Sequence, residues 1–185
     1  DAGDKFGHTV SISGDTLAVG APTEDSNQTT ITNGTTASSL NNDGDNGAVY
    51  VYKRSGSTWI QEAYIKSATT TGVDYFSMGL SLDNNTLVVG APREDSNQTT
   101  ITNGTSASSN DSSRDSGAVY VYKRTGTSWA QEAYIKASNN SEDDYFGVNV
   151  TLSGDTMAVG SSYEDSNQTT ITNGTSASSN DSNTN

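Results

Sequence analysis

The chain has no cysteine, two prolines and one histidine, and its nine lysines and arginines are set against twenty-two aspartates and glutamates in 185 residues. Without cysteine, neither a disulfide framework nor a thiolate metal site can form. A net charge of -13 and a pI near 4.1 repel nucleic acid and anionic membrane surfaces, and leave cations or neutral polar ligands as the easier partners. Keeping an exposed protein soluble would account for the same charge. No apolar run is long enough to span a membrane as a helix. Leu, Ile, Val and Phe together number only 28, about 15% of the chain, a share that with this charge is typical of disorder.

Position overrules composition. The apolar residues are gathered in short alternating runs, while the stretches from Pro22 to Gly47 and from Pro92 to Gly117 are almost wholly polar. These runs recur at intervals of 70 residues. Phe6, Phe76 and Phe146 open three copies, and Asp-Ser-Asn-Gln-Thr-Thr-Ile-Thr-Asn-Gly-Thr returns unchanged from Asp25, Asp95 and Asp165. A period of this length marks a repeat architecture in which each copy needs its neighbours to cover its apolar face.

Within the first copy, Val10 and Ile12 alternate with polar residues, and Gly14-Asp15 turns the chain into Thr16-Leu17-Ala18-Val19-Gly20, a hairpin signal. Asn84-Asn85 and Gly154-Asp155 occupy the same turn in the other copies, and Asn tolerates the positive φ that Gly supplies. A second hairpin is expected from Gly47 to Lys66 around Ser55-Gly56-Ser57, and again from Gly117 to Lys136. No helical periodicity is present.

The fold class is therefore all-β: four-stranded antiparallel units repeated in tandem, two complete at 4–73 and 74–143, and the first half of a third at 144–185. The long segment between the hairpins carries its own turn signal, Asn33-Gly34. It is expected to form a small polar β-excursion with Thr35-Thr36-Ala37 as its return, with disorder as the competing outcome.

Phe6-Gly7, Gly20-Ala21-Pro22 and Gly47-Ala48-Val49-Tyr50-Val51-Tyr52 resemble the FG-GAP repeat, the blade unit of the integrin α-subunit β-propeller, which many secreted bacterial proteins also carry. Gly90-Ala91-Pro92, Gly117 to Tyr122, Phe146-Gly147, Trp59 and Trp129 fall in register, so the resemblance covers essentially the whole chain. Two departures, Ser77 after Phe76 and Ser161-Ser162 in place of Ala-Pro, are expected to pack less tightly. The resemblance implies blades that usually close a ring of about seven. Two and a half copies then imply an incomplete propeller, or an open array in which further copies or adjoining repeats continue the stack. The sequence opens inside a repeat without a leader and ends at Asn185 before the expected Gly-Ala-Val-Tyr strand, so a segment of a longer, secreted or cell-surface protein is expected.

Many FG-GAP blades bind calcium through oxygen-rich loops with ligands at alternate positions. The corresponding residues here are Asn41, Asp43 and Asp45, then Asp111, Ser113 and Asp115, then Asp181, Asn183 and Asn185. Glu24-Asp25, Glu94-Asp95 and Glu164-Asp165 recur at the other end of the same loop and would complete a cage if its ends approach. Turn capping is the competing role for all of them.

The loops also carry Asn-X-Thr sequons at Asn27, Asn33, Asn97, Asn103, Asn167 and Asn173, with further acceptor triplets at Asn110 and Asn180. An enzyme is not expected. His8 aligns with Met78 and Val148, and the paired carboxylates recur in every copy without a shared cleft. Tyr50, Tyr52, Tyr120 and Tyr122 are read as packing residues before sugar-stacking ones. The leading functional expectation is a non-enzymatic extracellular structural or adhesive repeat protein. The alternative is a propeller fragment that binds a cell-surface protein or a carbohydrate once other blades complete it.

Overall fold

The structure, a computed structural model, describes residues 2–39, 44–69, 72–175 and 177–178. Among them every regular element is a strand. The first sheet contains β1 (Thr9–Ser13), β2 (Thr16–Ala21), β3 (Thr32–Asn33), β4 (Ala48–Ser55) and β5 (Thr58–Ile65). The second contains β6 (Gly79–Asp83), β7 (Thr86–Ala91), β8 (Ile101–Asn103), β9 (Ala118–Thr125) and β10 (Ser128–Ile135), and the third β11 (Asn149–Ser153) and β12 (Thr156–Gly160). Strand order is β1-β2-β4-β5-β3 and β6-β7-β9-β10-β8, with all pairs antiparallel.

Both expected hairpins form in each full unit, and Gly14, Asn84 and Gly154 all take the positive φ that their tight turn requires. Strands β2 and β7 stop at Ala21 and Ala91, immediately before Pro22 and Pro92, which lack the next donor.

The units have five strands, not the expected four. Thr32 pairs with Tyr64 and Asn33 with Ala63, so β3 lies on the outer edge of β5; β8 does the same on β10. Asn33-Gly34 does not fold back on Thr35–Ala37. The Gly34 N–H donates instead to the Glu62 carbonyl at 2.6 Å. A lone polar hairpin would hide no apolar surface, whereas the open edge of β5 supplies ready backbone partners.

The three sheets fan out from their first strands. The Ser11 hydroxyl accepts a bond from the Leu82 N–H at 2.9 Å, and Ser81 accepts from the Leu152 N–H at 3.0 Å, so β1, β6 and β11 lie side by side. Between the first two sheets runs the core, in which Val49, Val51, Ile65, Phe76, Leu82, Tyr120, Tyr122 and Trp129 pack together. Phe76 meets Tyr120 edge-on with ring centres 5.4 Å apart. A Cβ on Gly47 would stand 2.0 Å from the Phe76 carbonyl oxygen, which is why glycine is needed where the phenylalanine enters. Ser77 is not loosely packed. It is fully buried at φ +85°, and its hydroxyl has no hydrogen-bond partner.

The repeat copies differ in what covers them. Phe76, Leu82 and Trp129 are at most 5% exposed because the first sheet lies against them, whereas their counterparts Phe6, Ile12 and Trp59 are 57%, 62% and 40% exposed. Identical positions thus read as core or surface according to whether a neighbouring sheet is present.

Candidate functional site

In the first two units the two ends of the long loop do approach one another. In the second unit the Ser113 N–H donates to the Asp95 carbonyl at 2.8 Å and the Asp115 N–H to the Asp95 carboxylate at 2.6 Å, so Asp95 caps the far end of the loop. The Ser116 hydroxyl donates to the carbonyls of Glu94 and Ser96, each at 3.2 Å. Short polar side chains close the loop on its own backbone, the conformational role that Asp and Ser commonly take.

The glutamates do not join that cage. Glu94 is buried, and it accepts bonds from Lys136 at 2.7 Å and from the Tyr134 hydroxyl at 2.9 Å. Lys136 also donates to the Ser116 hydroxyl at 2.8 Å, and Ser96 lies 2.6 Å from the Tyr134 hydroxyl. The first unit repeats the arrangement: Lys66 donates to Glu24 at 2.6 Å, and the Ser26 hydroxyl bonds Glu24 and Tyr64. Burial lowers the pKa of both lysines, while the facing glutamate pulls it back up. In the third unit Glu164 is exposed, and among the described residues it bonds Ser166 and Asn139.

The remaining candidate ligands are dispersed. Asp115 is paired with Arg93 at 3.8 Å and Arg114 at 3.5 Å, Ser113 bonds Asn140 at 3.0 Å, and Asp111 is exposed. Asp25 is half-buried with one oxygen unpartnered, Asp45 gives its carbonyl to the Tyr75 N–H, and Asp165 is half-buried. Asn41, Asp43, Asp181, Asn183 and Asn185 lie outside the described residues. Among the described residues no three acidic or histidine side chains converge where a cation would sit. In the first two units Glu24 and Glu94 face buried lysines, and in the second Asp95 bonds the backbone at the far end of the loop.

The seam between the first two sheets has a chemistry of its own. Glu62 is the extra residue of a β-bulge, since Val51 pairs with Ala63 but Tyr52 with Gln61, and the bulge aims its side chain at the second sheet. There Glu62 accepts from Arg124 Nε and Nη2 and, at 3.1 Å, from the Trp129 indole N–H. Asn33 completes the latch: its carbonyl oxygen accepts from the Trp129 N–H at 2.8 Å and its amide donates to the Trp129 carbonyl at 3.3 Å. A glycan on the Asn33 amide would have to displace that bond. Asn27, Asn97, Asn103, Asn167 and Asn173 are exposed.

Each half of the latch recurs without its mate. At the first sheet Arg54 is held by Asp15 at 2.6 Å and lies over Trp59, and among the described residues no glutamate bonds them. At the second sheet Asn103 and Glu132 are exposed, and Glu132 again occupies the bulge.

One further group was not singled out from the sequence. Asp74 is 1% exposed with a carboxylate oxygen that has no partner. Burial pushes its pKa up to about 8, and Glu94, Asp95 and Asp111 push in the same direction against Lys136. The recurrence of Asp before each Phe, as Asp4, Asp74 and Asp144, is the sequence signal that would have found it.

The sequence matches the FG-GAP repeat family over residues 1–52, 59–122 and 129–176. The second match begins in β5 and ends in β9, and so runs through the seam. No curated protein matches the chain.

Proposed function

Because the chain belongs to the FG-GAP repeat family, we propose that it is a non-enzymatic structural or adhesive segment of an extracellular array. Its blades stack laterally and hold the acidic, Asn- and Thr-rich loops outward. FG-GAP repeats are typical of extracellular proteins, and no helix among the described residues is long and apolar enough to cross a membrane. The observation that carries the reading is the uncovered face of the first sheet. Phe6, Val10, Ile12 and Trp59 stand exposed there, at the positions whose counterparts Phe76, Leu80, Leu82 and Trp129 pack in the core between the first two sheets. A blade of the same repeat would bring its own Asn and bulge Glu to Arg54 and Trp59.

The test is to insert a further copy of residues 74–143 ahead of Asp4. Stacking predicts that Trp59 becomes buried, with a blue-shifted emission and a higher melting temperature, and that Arg54→Ala in the lengthened chain lowers that temperature. If the added copy leaves the Trp59 emission unchanged, the stacking reading falls.

A further inference from the structure

Arg93 is a cation held in place with its hydrogen-bonding capacity unspent. Its guanidinium lies over the Tyr75 ring at 4.7 Å, and its Nε stands 3.8 Å from the Asp115 carboxylate, close enough for an ion pair but too far for a hydrogen bond. Among the described residues no acceptor meets its two Nη nitrogens. The other arginines are committed, Arg54 to Asp15, Arg114 to Asp143 and Arg124 to Glu62. Stacking on a ring fixes the plane of the Arg93 fork and leaves its donors open to solvent.

The rings around it are anchored by their backbones. Tyr75 and Tyr145 precede the phenylalanines of their units with φ of 52° and 54°, the left-handed region that Gly or Asn enters at least cost. The Tyr75 N–H donates to the Asp45 carbonyl at 3.2 Å, and the Tyr145 N–H to the Asp115 carbonyl at 3.0 Å. The backbone alone gives no reason for tyrosine at such a position, so the reason lies in the ring. Tyr145 meets Tyr163 with ring centres 5.3 Å apart, and Asp115 joins this pair to Arg93. From the first unit Lys5 reaches Tyr75 at 5.9 Å. Thr23, Arg93 and Tyr163 share one repeat position, and Lys5, Tyr75 and Tyr145 another. The strip therefore changes character from copy to copy, while the adjoining stretches from Glu24, Glu94 and Glu164 to Thr35, Thr105 and Thr175 are identical.

We propose that this strip binds a glycan carrying an isolated carboxylate, a uronic acid residue in an otherwise neutral chain. The two Nη groups of Arg93 donate to the two carboxylate oxygens, the bidentate geometry in which a guanidinium is strongest. The apolar C–H face of the pyranose lies on the Tyr145 ring, and the phenol hydroxyls meet the sugar hydroxyls. The carboxylate has to be isolated, because Asp115 and Asp143 flank the strip and a net charge of -13 repels a polyanion. The assignment rests on the adhesive side of the reading above and supplies its ligand. It is read at Arg93 and not at Trp59, so either can fail alone.

The experiment is titration of the full chain, followed by amide NMR shifts, with methyl β-D-glucuronoside and with methyl β-D-glucoside, which differ only in the carboxylate. Saturable shifts at the Tyr75, Arg93 and Tyr145 amides are expected for the glucuronoside, with the glucoside weaker on the order of tenfold. Arg93→Ala should weaken the glucuronoside to the level of the glucoside, and Arg93→Lys, which keeps the charge but not the fork, should recover only part of the loss. The Arg93 side chain is partly exposed, so both variants fold as the parent does, which their melting temperatures check. Acetate and a short peptide with a free C-terminus supply a carboxylate without the sugar ring. The proposal is overturned if the glucuronoside does not bind, if the glucoside binds as tightly, or if Arg93→Ala changes nothing. It is equally overturned if acetate or the peptide matches the glucuronoside, because the strip would then read any carboxylate.

Discussion

Asn33 grips the backbone of Trp129 at both of its polar groups, although the two residues lie 96 positions apart and in different sheets. An amide side chain carries an acceptor oxygen and a donor nitrogen on one carbon, so it can meet an N–H and a C=O of the same residue together. In the latch it is joined by Glu62, whose carboxylate accepts from Arg124 and from the Trp129 indole.

Asn33→Ala leaves the Trp129 N–H and C=O without partners at a seam where Trp129 is buried. A loss of about 1–3 kcal/mol in unfolding free energy is expected. Asn103→Ala removes the same residue from the same repeat position, but there, among the described residues, it bonds no tryptophan backbone, so the loss should stay within about 0.5 kcal/mol. Denaturant unfolding of the two variants tests the contrast; equal losses would mean that Asn33 acts through its own loop.

Glu94 and Lys136 make a sharper comparison. Each side chain is about 96% or more buried, so either one left alone is an uncompensated charge in the core. Lys136→Met and Glu94→Gln should each cost about 3–5 kcal/mol, and the double substitution much less than the sum, with the shortfall read from a double-mutant cycle. Glu164→Gln is expected to be neutral for folding, since the third unit brings no lysine to it. Additive losses at Glu94 and Lys136 would show that the pair is only loosely coupled.

Much of this fold was legible because apolar alternation and turn chemistry act locally. The Val10/Ile12 hairpin, the Gly47-to-Lys66 hairpin and the phenylalanine wedge all follow from spacing. What spacing could not show was which neighbour each residue would meet. Thr32 and Asn33 look like half of a polar hairpin, but the free edge of β5 wins them. Glu24 and Glu94 look like loop ligands, yet each lies 42 residues before a lysine, and in a chain with nine basic residues that recurrence was the available sign of a buried pair. Asn33 carries a sequon, but its side chain serves the next sheet, a role that no local triplet encodes.

Asp74 sets a dependence of stability on pH. Its folded pKa of about 8 lies above the ordinary aspartate value of 3.8, so between these limits the folded chain holds a proton that the unfolded chain has released. The stabilisation is therefore complete below the unfolded pKa and is lost as pH rises through the folded one, with a slope of up to about 1.4 kcal/mol per pH unit from this group. Above about pH 8 both states are ionised, and the folded one then holds a charge with an unpartnered oxygen beside Glu94, Asp95 and Asp111. Asp74→Asn cannot ionise. Unfolding free energies from pH 5 to pH 8 should fall for the native chain and stay comparatively level for Asp74→Asn, with the variant gaining most at the alkaline end. Parallel curves for the two proteins would place the titration elsewhere.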